Sequence, residues 1–276
     1  MEASMAGEGH VRVFSSRDLQ EMDRLAAGEF GMPTLLLMEH AAMAIARIVK
    51  DGCDSLKSQR ILFVCGPGNN GGDGHAAARL LLDQGVRAHV VTAGGEPREG
   101  TDAWTNLQMA RSFGVPVHAM RDRHVKELFE QADLLVDCVF GTGLSRAPEG
   151  EALEAIERLN AARDRGAFVF AVDVPSGMDA DLGLPLGACV RANVTISLTG
   201  SKVGYVSEAA SAAYTGWVLT TPIGMPPALL VRYGQVVQLP KGPGTSGVKP
   251  GRSKPAKVGK VAKVGTKKTA TRRSRR

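Results

Sequence analysis

No stretch of the chain approaches the ~20 consecutive apolar residues that a membrane-spanning helix requires. Its opening, MEASMAGEGH, lacks the charged-then-apolar layout of an export signal. The four cysteines (Cys53, Cys65, Cys138 and Cys189) are scattered and contain no CxxC pair, which argues against a disulfide framework and against zinc ligation. Cys65 and Cys138 sit in apolar runs and read as small buried residues. These absences together predict a cytoplasmic protein that neither enters a membrane nor leaves a reducing compartment. Aromatic residues are also scarce, at 5% of the chain, and none lies between Lys241 and Arg276. That segment also lacks every acidic residue.

The composition is divided. Of the 34 Lys and Arg, thirteen fall in 241–276, which leaves 21 bases against 28 acids in the rest of the 276 residues. The formal net charge of +6 therefore describes neither part: an acidic globule carries a basic tail. The tail is built from Lys, Arg, Gly, Ala, Ser, Thr and Pro and cannot bury enough apolar surface to offset its ordering entropy. The expected division is a flexible leader over 1–12, one globular domain over 13–240 and a disordered tail over 241–276. Such a tail suits weak, sequence-independent association with nucleic acid.

Within the globular part, helices and apolar strands alternate. "FSSRDLQEMDRLAAGEFG" predicts a helix capped by Ser15 or Ser16 and ended by Gly28. A second helix spans 34–50. Strands are expected at 60–65, 86–93, 115–118, 133–140, 167–174, 194–199 and 216–223. Helices between the earlier strands are expected over 74–83, 102–114, 123–131 and 151–163. Apolar strands alternating with helices imply an α/β fold with a mostly parallel sheet covered on both faces.

Three glycine-rich loops follow three of those strands: "GPGNNGGD" (66–73), "GTGLSRAPEG" (141–150) and "PSGMDAD" (175–181). The carboxyl ends of parallel strands share one edge, so the three loops converge where ligands bind. The first contains the spacing Gly66-x-Gly68-x-x-Gly71 and offers unpaired amides to a phosphate at a helix start. A nicotinamide dehydrogenase also needs an acidic residue about 20 positions further on. Only Glu96 is near, and the fit is mediocre. Asn69, Asn70 and Asp73 fall outside that fingerprint and direct side-chain oxygens at a cation or a sugar. Asp137 and Asp173 stand at the ends of apolar strands, where a carboxylate must be paired, hydrogen-bonded or bound to a cation. Asp179 and Asp181 read as turn residues.

The ordered set "GPGNNGGDG", "DCVFGTGLSR" and "VDVPSGMDADLG" closely resembles the signature loops of the NAD(P)H-hydrate epimerases, the YjeF N-terminal domain family. "LMEHAA" (37–42) resembles the family's early LMENAG helix, with His40 and Ala42 as departures. "ANVTISLTGSKVGY" (192–205) is similar more loosely. The resemblance covers about 13–240 and implies a Rossmann-like three-layer α/β/α sandwich, usually dimeric. It implies an isomerase of nicotinamide cofactor repair that interconverts the R and S epimers of NADHX and NADPHX, the reduced cofactors hydrated at C6. A dehydratase that accepts only the S form completes the repair and is expected here as a separate protein.

Carried over by motif, Asn69, Asn70, Gly71, Gly72 and Asp73 would line the substrate site. So would Gly141, Thr142, Gly143, Leu144, Ser145, Arg146 and Ala147, together with Asp173. Asn70, Asp137 and Ser176 would ligate a potassium ion, K+. The chemistry needs a positioned acid/base; Asp173 is the first candidate and Asp137 the second. Lys202 contacts a phosphate, orients substrate, or is a plain surface lysine. Two other readings stand beside this one: a dehydrogenase on the same fold, and a non-catalytic binding or scaffold module with the basic tail as its nucleic-acid contact.

Overall fold

The computed structural model describes residues 10–58 and 60–238. The chain begins with β1 (His10–Phe14), α1 (Ser16–Phe30) and α2 (Thr34–Leu56). Ser15 caps α1 by accepting the Asp18 amide. The helix passes through Gly28 and stops at Gly31, whose φ of 62° is the left-handed conformation that glycine adopts without strain.

Next come β2 (Ile61–Cys65), α3 (Asn69–Asp83), β3 (Ala88–Thr92), α4 (Asp102–Ser112), β4 (Val117–Ala119) and α5 (Val125–Gln131). The central part continues with β5 (Leu134–Cys138), α6 (Gly150–Asp164), β6 (Phe168–Val172) and β7 (Val194–Leu198). The described chain closes with β8 (Ser201–Lys202), α7 (Val203–Ser207), α8 (Ala212–Thr215), β9 (Trp217–Thr221), α9 (Pro227–Tyr233) and β10 (Gln235–Gln238).

Seven strands form one sheet in the order β4-β3-β2-β5-β6-β7-β9. Every neighbouring pair in it is parallel. Side chains alternate across it as strand geometry requires. Phe63, Val136 and Phe170 face Ile45 and Val49 of α2 and Leu81 of α3. Leu62, Val64, Leu135 and Val169 face Phe129 of α5 and Ile156 and Leu159 of α6. The result is the Rossmann-like three-layer α/β/α sandwich. From β2 the chain winds outward to β3 and β4, then returns to β5 on the other side. The crevice between the ends of β2 and β5 is therefore the topological switch point, where open α/β sheets bind ligands.

Two features depart from the expectations. α3 begins at Asn69 rather than Gly74, because the Gly72 amide already bonds to the Gly68 carbonyl at 3.1 Å. The asparagines and glycines are thus the helix's first turn, not a loop before it. In addition, residues 10–12, expected in a flexible leader, open β1. That strand pairs antiparallel with β10 and parallel with β8 in a separate three-stranded sheet. Residues 1–9 and the basic tail from 241 lie outside the described residues. Among the described residues, no helix is long and apolar enough to cross a membrane.

Candidate active site

A cavity of about 490 Å³ opens at the switch point. The first turn of α3 supplies Asn69, Asn70 and Asp73, and the loop after β5 supplies Gly141, Thr142, Gly143 and Leu144. Asp173 lies just past β6, Thr199 just past β7, and Lys202 on β8. α1 and α2 close the other side with Leu19, Asp23, Leu37, Met38 and Ala41.

The glycines of the first loop make the approach possible. A Cβ on Gly66 would stand 2.1 Å from the Val139 carbonyl oxygen, and one on Gly71 would stand 1.8 Å from the Gly66 carbonyl oxygen. Gly71 and Gly72 pack inward and do not line the cavity, and a Cβ on Gly72 would meet Met38 and Ala103. Ser145, Arg146 and Ala147 are exposed and lie outside the cavity lining. The other residues expected at the substrate site converge on it.

Asp173 is held from several directions. Its Oδ1 lies 2.5 Å from Lys202 Nζ and accepts the Leu198 amide at 3.2 Å. Its carbonyl accepts the Tyr205 hydroxyl at 2.7 Å. Its φ of 65° is left-handed, as is that of Thr199 at 66°. Two non-glycine residues in this sparsely populated region both border the cavity, where such strain concentrates in functional sites. Lys202 is not a surface lysine: it is 1% exposed, and its ammonium also donates to the carbonyls of Leu198 and Gly200.

Asp137 is fully buried beneath the cavity and does not line it. Its carboxylate accepts the Ser176 hydroxyl at 2.6 Å, the Ser176 amide at 2.8 Å and the Val139 amide at 3.2 Å. Burial raises its pKa to about 6, against the lowering effect of those hydrogen bonds. Nearby, the Asn70 side chain is buried with neither its oxygen nor its nitrogen partnered by protein. A buried orphan acceptor of this kind costs about 1–3 kcal/mol unless something fills it. Asn70, Asp137 and Ser176 would offer a cation oxygen donors only, a set that suits a hard ion.

Two charged groups of the cavity escape a reading of the three loops. One is Lys202 in its buried, ion-paired role. The other is Asp23, a half-buried acid of α1 that faces the cavity. Burial raises its pKa to about 6, and the Asp173 charge adds to this while Lys202 opposes it. The signal was its place at helical spacing among the buried Leu19, Met22 and Ala26, where an acid is out of pattern. Asp73 is pushed well above the usual carboxylate range, first by burial and then by Asp173, Asp23 and Cys65. Asp179 is a turn residue as expected, accepting the amides of Asp181 and Leu182, while Asp181 accepts the Ser16 amide at the start of α1.

A separate group at the β3–β4 edge, His89, His118 and His124, is satisfied internally. His118 joins His124 at 2.7 Å and His89 at 3.1 Å through ring nitrogens. Neighbouring Asp122 accepts the Ala119 amide. All four cysteines are buried and free.

Residues 34–204 match the family described as YjeF-related protein N-terminus. A Weissella koreensis protein named NAD(P)H-hydrate epimerase is 36% identical over 191 residues, covering 69% of this chain and 81% of that one. A Limosilactobacillus fermentum protein of the same name is 32% identical over 208 residues, or 75% of this chain and 95% of the relative. The bifunctional NAD(P)H-hydrate repair enzyme Nnr of Moorella thermoacetica is 33% identical over 221 residues, and the match spans 41% of its length and 78% of this chain. The crystal structure of yeast YNL200c superposes with a TM-score of 0.64 at 27% identity, covering 76% of this chain and 86% of that one. The matched stretch holds β2 to β7, all three loops, Asp173 and Lys202, so the chain belongs to the YjeF-related N-terminal family.

Proposed function

We infer that the chain is an NAD(P)H-hydrate epimerase, converting R-NADHX and R-NADPHX into the S epimers that a dehydratase can consume. The observation that carries this reading is the cavity at the β2/β5 switch point, lined from the loops after β2 and β5 and holding Asp173, just past β6, paired to a buried lysine. Relatives bearing the epimerase name over most of their length support the same activity.

The substrate's nucleotide part is placed against the first turn of α3. Its unpaired amides and the positive end of the helix dipole favour phosphate there. The glycines that pack without side chains let the backbone come close. The damaged ring then faces Asp173. Its reacting carbon, C6, carries a hydroxyl beside the ring nitrogen, so the nitrogen lone pair can expel that hydroxyl to form a C6=N iminium, and C6 can take it back on the other face as the pair returns to nitrogen. Each passage moves a proton, and Asp173 is an acid/base positioned to take part in that transfer. Lys202 fixes the Asp173 carboxylate in place. Asp137, whose oxygens are already engaged, supports the loops instead of reacting.

Asn70, Asp137 and Ser176 would hold a monovalent cation, with potassium as the proposed ion; when bound it would supply positive charge that offsets nearby carboxylates. The active unit is proposed to be a cytoplasmic homodimer, with the basic segment 241–276 a nucleic-acid contact outside the catalytic domain of 13–240.

The test is direct. Purified protein should consume R-NADHX faster than buffer alone when an S-specific dehydratase is supplied. Asp173→Asn should keep the fold and much of the binding while lowering turnover by roughly 10²–10⁴-fold, the usual contribution of a positioned acid/base. If R-NADHX disappears at the buffer rate, the epimerase reading is wrong. Hydride transfer to bound NAD+ would instead favour a dehydrogenase.

A further inference from the structure

The cavity lining is unbalanced in charge. Three carboxyl groups, Asp23, Asp73 and Asp173, face it together with a single cation, Lys202. That cation is committed to Asp173 at 2.5 Å. Asp23 has neither a hydrogen bond nor an ion pair to any described residue, and it stands on α1, outside the stretch 34–204 that matches the family. A cavity that receives a diphosphate-bearing substrate cannot easily hold two further carboxylates as anions. At least one must keep its proton.

We propose that Asp23 is a catalytic residue of this epimerase, the proton donor to the departing C6 hydroxyl, with Asp173 the acceptor for the returning water. The proposal rests on the epimerase reading above and adds a residue to it. In the forward step the C6–O bond breaks as the nitrogen lone pair forms a C6=N iminium, and the hydroxyl leaves as water carrying the Asp23 proton. Water then adds to the opposite face of C6 and the iminium pair returns to nitrogen. The surplus proton of that water passes to Asp173. Nothing is oxidised or reduced. Asp23 regains its proton, and Asp173 loses one, by exchange with solvent through the cavity mouth.

The electrostatics agree with this division of labour. Burial and the Asp173 charge raise the Asp23 pKa to about 6, so a useful fraction is protonated near neutral pH. The charged or titratable groups facing it are Asp173 and Lys202, and Asp73 across the cavity. Asp73, whose pKa burial also raises, is 8% exposed and senses Cys65 on β2, which places it deeper, toward the sheet. Asp23 is the more accessible of the two, on the wall that α1 contributes.

The experiment compares wild type, Asp23→Asn, Asp23→Glu and Asp73→Asn in R-NADHX epimerisation over pH 5 to 9, with the uncatalysed rate subtracted. An inactive wild type refutes the epimerase reading itself and takes this proposal with it. With an active wild type, kcat/KM should fall as pH rises past about 6, where Asp23 loses its proton. Asp23→Asn should lose that limb and be about 10²–10⁴-fold slower at its low-pH side. KM should change little, and Asp23→Glu should restore part of the rate together with the limb. Thermal melting confirms that the variants fold. If Asp23→Asn is folded and keeps wild-type turnover and pH profile, the proposal is overturned. It is equally overturned if Asp73→Asn alone removes the limb, or if Asp23→Asn changes only KM.

Discussion

Lys202 Nζ and Asp173 Oδ1 meet at 2.5 Å, with the lysine 1% exposed and the aspartate set in a left-handed backbone conformation. The pair joins two sheets, since Lys202 belongs to β8 beside β1 and Asp173 follows β6 of the parallel sheet. Removing one partner leaves the other as a buried, uncompensated charge. Lys202→Met should therefore lower stability by about 3–5 kcal/mol. Adding Asp173→Asn to that background should recover part of the loss, because the stranded carboxylate is gone. Urea unfolding of the four members of the cycle measures this. Additive losses would show that the two side chains are not energetically coupled.

The glycines divide into those that need to be glycine and those that do not. Gly71 has no room for a Cβ, which would overlap the Gly66 carbonyl. Gly28 lies inside α1 with nothing within 4 Å of where its Cβ would be. Gly71→Ala should cost about 3 kcal/mol or more, as strain at a packed backbone crossing does. Gly28→Ala should raise stability by about 0.5–1 kcal/mol through better helix propensity. Melting temperatures that move in the same direction for both variants would contradict the packing described for the first turn of α3.

The same contrast explains what local sequence can and cannot reveal. The central strands of the main sheet were legible because parallel strands covered on both faces are near-continuous apolar runs, as "ILFVC" and "LLVDC" show. The three loops were legible because their glycines and polar groups recur after strands. α3 was placed five residues late, since Asn and Gly are poor helix formers and only packing against Gly66, Met38 and Ala103 justifies them there. β1 was lost in an expected leader because its partner, Gln235–Gln238, is more than 200 residues away. The place of Asp23 at the cavity and the pairing of Lys202 with Asp173 were not legible for a related reason. Each belongs to an element outside the three loops, and only the tertiary fold brings it to Asp173.

The Asn70 side chain, buried and unpartnered, carries a prediction about ions. Binding to the native state alone stabilises it by RT ln(1 + [L]/Kd), about 2.7 kcal/mol at 100-fold over Kd. Potassium should therefore raise the melting temperature and the epimerase rate relative to choline at equal ionic strength. Asn70→Ala should abolish both responses while leaving the melt in choline close to its own value in potassium. Identical melts for wild type in the two salts would remove the cation from the proposal.

The basic segment 241–276 carries thirteen Lys and Arg, no acid and no aromatic residue. Without aromatic residues it has no platform for base stacking, so any affinity for nucleic acid must come from counterion release at the phosphates. Binding should be weak, indifferent to sequence and steeply reduced by salt. Among the described residues, the cavity lining runs from Leu19 to Ile223. A protein ending at residue 240 should keep full epimerase activity and lose nucleic-acid association at low salt. Filter binding to unrelated duplexes at low and near-physiological salt, beside R-NADHX turnover, separates the two properties. Equal binding by both forms would clear the segment of that role, and loss of turnover on truncation would make it part of the catalytic unit.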